Sequence, residues 1–239
     1  MILAGLQKIS LIDFPDKISC VVFVTGCKFA CPFCHNPELA RGRYPQRLTT
    51  DQIIEFLQLR GRLLDGVVVS GGEPTLAPGL ADLCSAIRAL GLAVKLDTNG
   101  SRPEVLAHLI DTHLIDFVAM DIKTDVARYG PPLVAAGEST RIGSNIHQSI
   151  RQSIRLIMAS DLAYEFRTTC VRPFVDEGII VEIARAIEGA RRYVLQTFRP
   201  ISLLDPAFFD GLNPGFTPDG MQRLKAEAAP WVGECSIRP

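Results

Sequence analysis

The sequence predicts an α/β fold, a partial (β/α)6 barrel whose parallel strands are covered by outer helices. Three observations predict it. Short apolar runs alternate with helical stretches, and such alternation builds parallel strands joined by right-handed crossovers. The runs are continuously apolar rather than alternating, as strands covered on both faces are. Polar residues collect just after the runs, where α/β folds gather their sites. Six strands are too few for a closed eight-stranded barrel, so an open one is expected.

The expected strands are 18–25, 67–70, 93–97, 117–121, 164–169 and 193–197, most of them rich in Val, Ile or Phe. The expected helices are 51–59, 80–90, 103–111, 145–159 and 176–188, with a last helical piece at about 219–229. Thr49, three residues before Gln52, makes a capping-box pattern. Pro103 suits a first helical turn, and Gly91 suits a helix end. Residues 127–144 carry Gly130-Pro131-Pro132 and Gly137 and read as a loop. No repeat or linker stands out, so residues 1–239 are expected to form a single domain, with a core at about 16–200 and a C-terminal tail at about 200–239.

Composition narrows the function classes. The 239 residues are 47% hydrophobic and 21% charged, and Lys+Arg 25 against Asp+Glu 26 leave a formal net charge of -1. No global basic field exists to hold nucleic acid or an anionic membrane. No apolar run reaches the roughly 18 residues of a spanning helix. Residues 1–8 lack the basic and long apolar regions of a leader. The expectation is a cytoplasmic protein with neither nucleic acid nor membrane as partner. The seven cysteines are odd in number, which suits reduced thiols. Cys20 and Cys170 lie in strand-like runs and Cys84 in a helical one, and all three read as small buried hydrophobes. The sequence gives Cys235 no role.

Cys27, Cys31 and Cys34 form C-x3-C-x2-C on one tight loop. Structural zinc wants four ligands, commonly two separated pairs; His35 is adjacent to Cys34, and no second CxxC exists to close the site. The alternative is a four-iron cluster held by three cysteines, with one iron open to a small molecule; the spacing differs from ferredoxin patterns that ligate every iron. Ser70-Gly71-Gly72-Glu73-Pro74 follows a Val-Val-Val strand, so its glycines let backbone approach a ligand closely or simply form a tight turn. No phosphate-loop pattern is present. Asp97-Thr98-Asn99 ends the third strand and Asp121-Ile122-Lys123 the fourth, while Arg167 lies on the fifth. Turn chemistry is the bland reading of Asp97, ion pairing with a rim aspartate that of Lys123 and Arg167, and core packing that of Phe33. His35 and Asn36 suit hydrogen bonds around a metal centre better than ligation.

The cysteine spacing after the first barrel strand resembles the signature of radical S-adenosylmethionine (SAM) enzymes. Cys34-His35-Asn36-Pro37, Ser70-Gly71-Gly72-Glu73-Pro74, Leu96-Asp97-Thr98-Asn99-Gly100 and Met120-Asp121-Ile122-Lys123 resemble those of the glycyl-radical-enzyme activases. Residues 5–15, GLQKISLIDFP, are similar to the opening of anaerobic ribonucleoside-triphosphate reductase activating proteins. The resemblance covers about residues 3–200. It implies one [4Fe-4S] cluster on Cys27, Cys31 and Cys34, and SAM on the remaining iron. Reductive cleavage of SAM would give methionine and a 5′-deoxyadenosyl radical, which abstracts hydrogen from a glycine of a partner enzyme. It implies SAM contacts from Phe33 to the adenine, from the Ser70, Gly71, Gly72 and Glu73 turn to the amino group, from Asp97, Thr98 and Asn99 to the ribose or methionyl part, and from Lys123 and Arg167 nearby. Asp97, Asp121 and Thr98 would also hold a monovalent cation. Flavodoxin or ferredoxin would donate the electron. The short segment 38–49 has no cysteine, so auxiliary clusters found in several activases are not expected. The leading expectation is an activase of anaerobic ribonucleotide reductase. The alternatives are a radical SAM enzyme of a small molecule, such as the short deazapurine-forming synthases, and a non-catalytic Fe–S or Zn module.

Overall fold

The computed structural model describes residues 2–44, 47–60, 63–134 and 146–239. One sheet of nine strands runs in the order β3-β1-β2-β4-β5-β6-β7-β8-β9. The strands are β1 Ile2–Ser10, β2 Ser19–Val24, β3 Leu48–Thr49, β4 Gly66–Gly71, β5 Ala93–Thr98, β6 Phe117–Asp121, β7 Ala163–Cys170, β8 Tyr193–Thr197 and β9 Cys235–Arg238. Every neighbouring pair from β2 to β9 is parallel. β1 runs antiparallel to both β2 and β3. The helices are α1 Pro37–Ala40, α2 Thr50–Arg60, α3 Leu80–Ala89, α4 Pro103–Asp111, α5 Ile146–Ala159, α6 Glu177–Ala186 and α7 Pro218–Ala228.

The six expected strands are β2 and β4–β8, each within two residues of its expected ends, and they carry the parallel α/β core. The structure adds β1, β3 and β9. β1 is broken by register shifts and exposes Gln7, Lys8 and Ile9, so it lacks the apolar run of a covered strand. β3 and β9 are too short to show a period. α1, also unexpected, is a single turn. The capping box forms as expected: the Gln52 N–H donates to Thr49 Oγ1 and the Thr49 N–H to Gln52 Oε1. Within the expected loop, Val126–Arg128 makes a 3-10 turn, and Val134 bridges Phe29; residues 135–144 lie outside the described ones. Cys20, Cys84 and Cys170 are fully buried, as expected of small hydrophobes.

Residue alternation separates the two faces of each strand. One face, including Val22, Val67, Val69, Val94, Leu96 and Val118, packs in the large core with the helices. The inner face is apolar toward the strand starts, where Phe14, Val21, Val68, Phe117 and Ala119 cluster. Phe14, on the β1–β2 connection, meets Phe117 edge-on at 5.9 Å and plugs that end. Above it the inner face turns charged, with Lys95, Asp97, Asp121, Glu165 and Arg167. Buried Glu165 accepts from both Arg238 terminal nitrogens, at 3.3 and 3.2 Å. β9 thus contributes to the barrel interior across β8. Among the described residues no helix is long and apolar enough to cross a membrane.

Phe14 is 3% exposed, so Phe14→Ala should cost about 3–5 kcal/mol. Urea unfolding should show a lower midpoint with an unchanged slope; an unchanged midpoint would contradict the plug.

Candidate active site

The C-terminal ends of the strands surround a cavity of about 260 Å³. Every expected site residue lines it: Cys27, Cys31, Cys34 and Phe33 after β2; Ser70, Gly71, Gly72 and Glu73 at the end of β4; Asp97, Thr98 and Asn99 at β5; Asp121 and Lys123 at β6; and Arg167 on β7. His35 and Asn36 line it as well. The sequence reading misses Phe29, Thr169 and Gln196. Thr169 and Gln196 are register partners, and the two-residue step from Arg167 places Thr169 on the inner face.

The base of the cysteine loop is held by backbone. The Gly26 N–H donates to the Leu39 carbonyl at 2.8 Å and the Cys27 N–H to the Ala40 carbonyl at 3.0 Å, so α1 satisfies the loop's start. From the other side the Gly72 N–H donates to the Val24 carbonyl at 2.9 Å and the Glu73 N–H to the Gly26 carbonyl at 2.8 Å. A Cβ on Gly72 would overlap the Gly26 carbonyl oxygen, and one on Gly71 (φ 117°) would overlap Val24 backbone. These glycines therefore first let two stretches of protein backbone meet.

The Glu73 carboxylate is engaged within the protein. It is 1% exposed. Its Oε1 accepts from the Thr75 N–H (3.1 Å), the Thr75 hydroxyl (2.5 Å) and the Thr98 hydroxyl (2.7 Å); its Oε2 accepts from the Asn99 N–H (2.7 Å). Burial pushes its carboxyl above the usual range despite these donors. Glu73 stitches the end of β4 to that of β5. Asn99 Nδ2 lies 3.7 Å from Cys27 Sγ, and the Phe29 N–H donates to the same sulfur at 3.4 Å. Phe33 is buried with its ring 5.0 Å from that of Phe174, and His35 stacks on Phe198 at 5.9 Å.

The same cavity carries a chain of alternating charges. Lys95 Nζ lies 2.6 Å from Asp97 Oδ1. Asp97 Oδ2 accepts from the Ser70 hydroxyl at 3.0 Å and lies 3.5 Å from Arg167 Nη1. Arg167 Nε donates to Asp121 Oδ1 at 2.7 Å, and Lys123 Nζ to Asp121 Oδ2 at 3.1 Å. Burial alone would raise both aspartates. Arg167, joined by Lys95 at Asp97 and by Lys123 at Asp121, outweighs it and holds both below the usual carboxylate range. The monovalent cation implied between Asp97, Asp121 and Thr98 thus meets oxygens already engaged by protein groups.

The donor set fits an iron–sulfur cluster. Burial pushes the Cys31 thiol up to about 12 and, helped by the nearby Glu73, raises Cys27 as well. Thiolates here need a centre that brings its own positive charge. Among the described residues no three His, Cys, Asp or Glu side chains are arranged to hold a single metal ion; a cluster spreads its thiolates over separate irons. The two N–H groups at Cys27 Sγ are outer-shell donors of the kind that tune such centres.

A profile of the Radical SAM superfamily matches residues 21–141. The chain is 35% identical over 212 residues to a Methanocaldococcus jannaschii protein provisionally named a glycyl-radical enzyme activating enzyme, covering 87% of this chain and 84% of that one. It is 32% identical over 128 residues to the pyruvate formate-lyase-activating enzyme of Clostridium pasteurianum, covering 50% and 51%. Streptococcus suis SuiB bound to SAM shares the fold with a TM-score of 0.65 at 14% identity, over 92% of this chain and 50% of that one. QueE from Escherichia coli does so at 0.53 and 13%, over 99% and 93%. The chain thus spans about half the length of the clostridial enzyme and of SuiB. It belongs to the radical SAM superfamily. Within it, the chain groups with the glycyl-radical enzyme activating enzymes. Membership implies a [4Fe-4S] cluster and SAM.

Gly72→Ala should force the turn off Gly26 and move the cysteine loop. We expect clearly less iron per chain after anaerobic reconstitution, with the far-ultraviolet circular dichroism of the sheet retained. Full iron loading would contradict the clamp.

Proposed function

We propose that this chain is a radical SAM activating enzyme that makes a glycyl radical on a partner enzyme, and that the partner is an anaerobic ribonucleoside-triphosphate reductase. One observation carries the reading: three cysteines of a C-x3-C-x2-C loop and an arginine–aspartate network line one cavity. Cys27, Cys31 and Cys34 would hold three irons of the cluster and leave the fourth open to the amino and carboxylate groups of SAM. When bound, cluster and SAM supply a one-electron cleavage that yields methionine and a 5′-deoxyadenosyl radical, which takes a hydrogen atom from the glycine and becomes 5′-deoxyadenosine.

The chain's own residues bind, orient and exclude water. Carbonyls of the Ser70-Gly71-Gly72 turn would accept from the SAM amino group. Lys95, Arg167, Lys123 and Arg238 against Asp97, Asp121 and Glu165 carry four positive and three negative charges, and the surplus suits the SAM carboxylate. Phe33 offers its ring to the adenine. Asn99 and the Phe29 N–H would polarise Cys27 sulfur.

A second cavity of about 340 Å³ shares His35, Thr169 and Gln196 with the first and is also lined by Thr197, Arg199, Ile201, Ser202 and Pro239. We assign it to the partner's glycine-bearing loop. Likeness to the activating relatives supports the class of partner, and the opening GLQKISLIDFP supports the reductase. Flavodoxin or ferredoxin would be the electron donor, and the cytoplasm the setting.

The test is anaerobic. Reconstituted, dithionite-reduced protein should release methionine and 5′-deoxyadenosine from SAM, and Cys31→Ala should abolish the release while keeping the fold. Mixed with an anaerobic ribonucleotide reductase, the wild type should raise a glycyl doublet in electron paramagnetic resonance. Normal SAM turnover in Cys31→Ala would contradict the cluster assignment, and SAM turnover with no doublet would contradict the partner.

A further inference from the structure

We propose that Lys95, with Arg167 and Lys123, takes the place of the monovalent cation expected between the two rim aspartates, so that the site works without sodium or potassium. The inference rests on the SAM reading only for one of its readouts. Lys95 interrupts an apolar strand two residues before Asp97, which puts both on the inner face. The side chain is 1% exposed, and its Nζ lies 2.6 Å from Asp97 Oδ1. An ammonium group resembles a potassium ion in charge and size.

The oxygens that a bound cation would use are occupied. Asp97 Oδ2 faces the Ser70 hydroxyl at 3.0 Å and Arg167 Nη1 at 3.5 Å. Asp121 Oδ1 accepts from Arg167 Nε at 2.7 Å and Oδ2 from Lys123 Nζ at 3.1 Å. The Thr98 hydroxyl donates to Glu73 Oε1 at 2.7 Å and accepts from the Gly100 N–H at 3.1 Å. Two partly buried carboxylates this close need positive charge between them. Here Lys95, Lys123, Arg167 and Arg238 carry four positive charges against Asp97, Asp121 and Glu165, the last of which lies 4.0 Å from Arg167 Nη1 and pairs with Arg238, so an alkali ion would be repelled at short range in a poorly screened site. Removing Lys95 would return one charge and one vacant carboxylate oxygen to such an ion.

The experiment uses the reconstituted protein in sodium, potassium and tetramethylammonium chloride at equal ionic strength; the tetramethylammonium ion is too large to bind between carboxylates. Wild type should melt at the same temperature and bind SAM equally in all three, and thallium-205 resonance should show no bound thallous ion. Lys95→Met should bind SAM about tenfold more weakly in tetramethylammonium and recover with potassium or sodium. Its melting temperature should rise by about 2–4 °C as the alkali ion saturates the site. Saturable stabilisation of wild type by sodium or potassium, or a Lys95→Met protein indifferent to salt, would overturn the proposal. If Lys95→Met does not fold, the wild-type salt series and thallium spectrum decide alone. Melting and thallium readouts need no SAM, so failure to bind SAM in every salt would count against the proposed function and leave this inference standing.

Discussion

Asp97 and Asp121 stand side by side at the ends of β5 and β6, and the rest of the cavity depends on how their charge is met. Two neighbouring, partly buried carboxylates ionise together only with cations at hand. Arg167 supplies the first, its planar fork reaching Asp121 through Nε and Asp97 through Nη1. A lysine could not span both in this way. The pairing ties the tops of β5, β6 and β7 into one wall, and Lys95 and Lys123 flank it. The wall is charged and oriented before any ligand arrives, which is the preorganisation that a reactive radical site requires.

The cysteine loop forms another part of the lining, and backbone rather than side chains fixes it. The Gly71–Gly72 turn presses on Val24 and Gly26, and α1 closes the other side of the loop base. Glu73 carries the constraint onward, since its two oxygens take hydrogens from Thr98 and Asn99. Asn99 in turn reaches back to Cys27 sulfur. The cysteine loop, the glycine turn and the aspartate strand therefore form a closed circuit of short contacts. A shift of any one of them moves the other two.

Much of this was legible in the sequence, for a physical reason. Strands covered on both faces must be apolar throughout, so β2 and β4–β8 stand out as runs, and the polar residues just after them mark one rim. The pieces at the sheet edges did not stand out: β1 is half exposed and bulged, and β9 has four residues. At the site, residue identity was readable and allegiance was not. The sequence does not show that the Glu73 carboxylate takes four hydrogens from Thr75, Thr98 and Asn99, or that Gly72 backs onto the Gly26 carbonyl. Lys95 did carry a signal: a lone ammonium in the run Val94-Lys95-Leu96, in phase with Asp97. Glu165 and Arg238 carried none, because they meet only across β8.

The account stands on a cluster held by three thiols with one iron free for SAM, and the most direct measurement is electron paramagnetic resonance of the reduced, reconstituted protein before and after SAM is added. The account predicts a [4Fe-4S]⁺ signal whose g values move on adding SAM, because the free iron gains amino and carboxylate ligands. A spectrum that SAM leaves untouched, or reconstituted protein with no such signal, would contradict it.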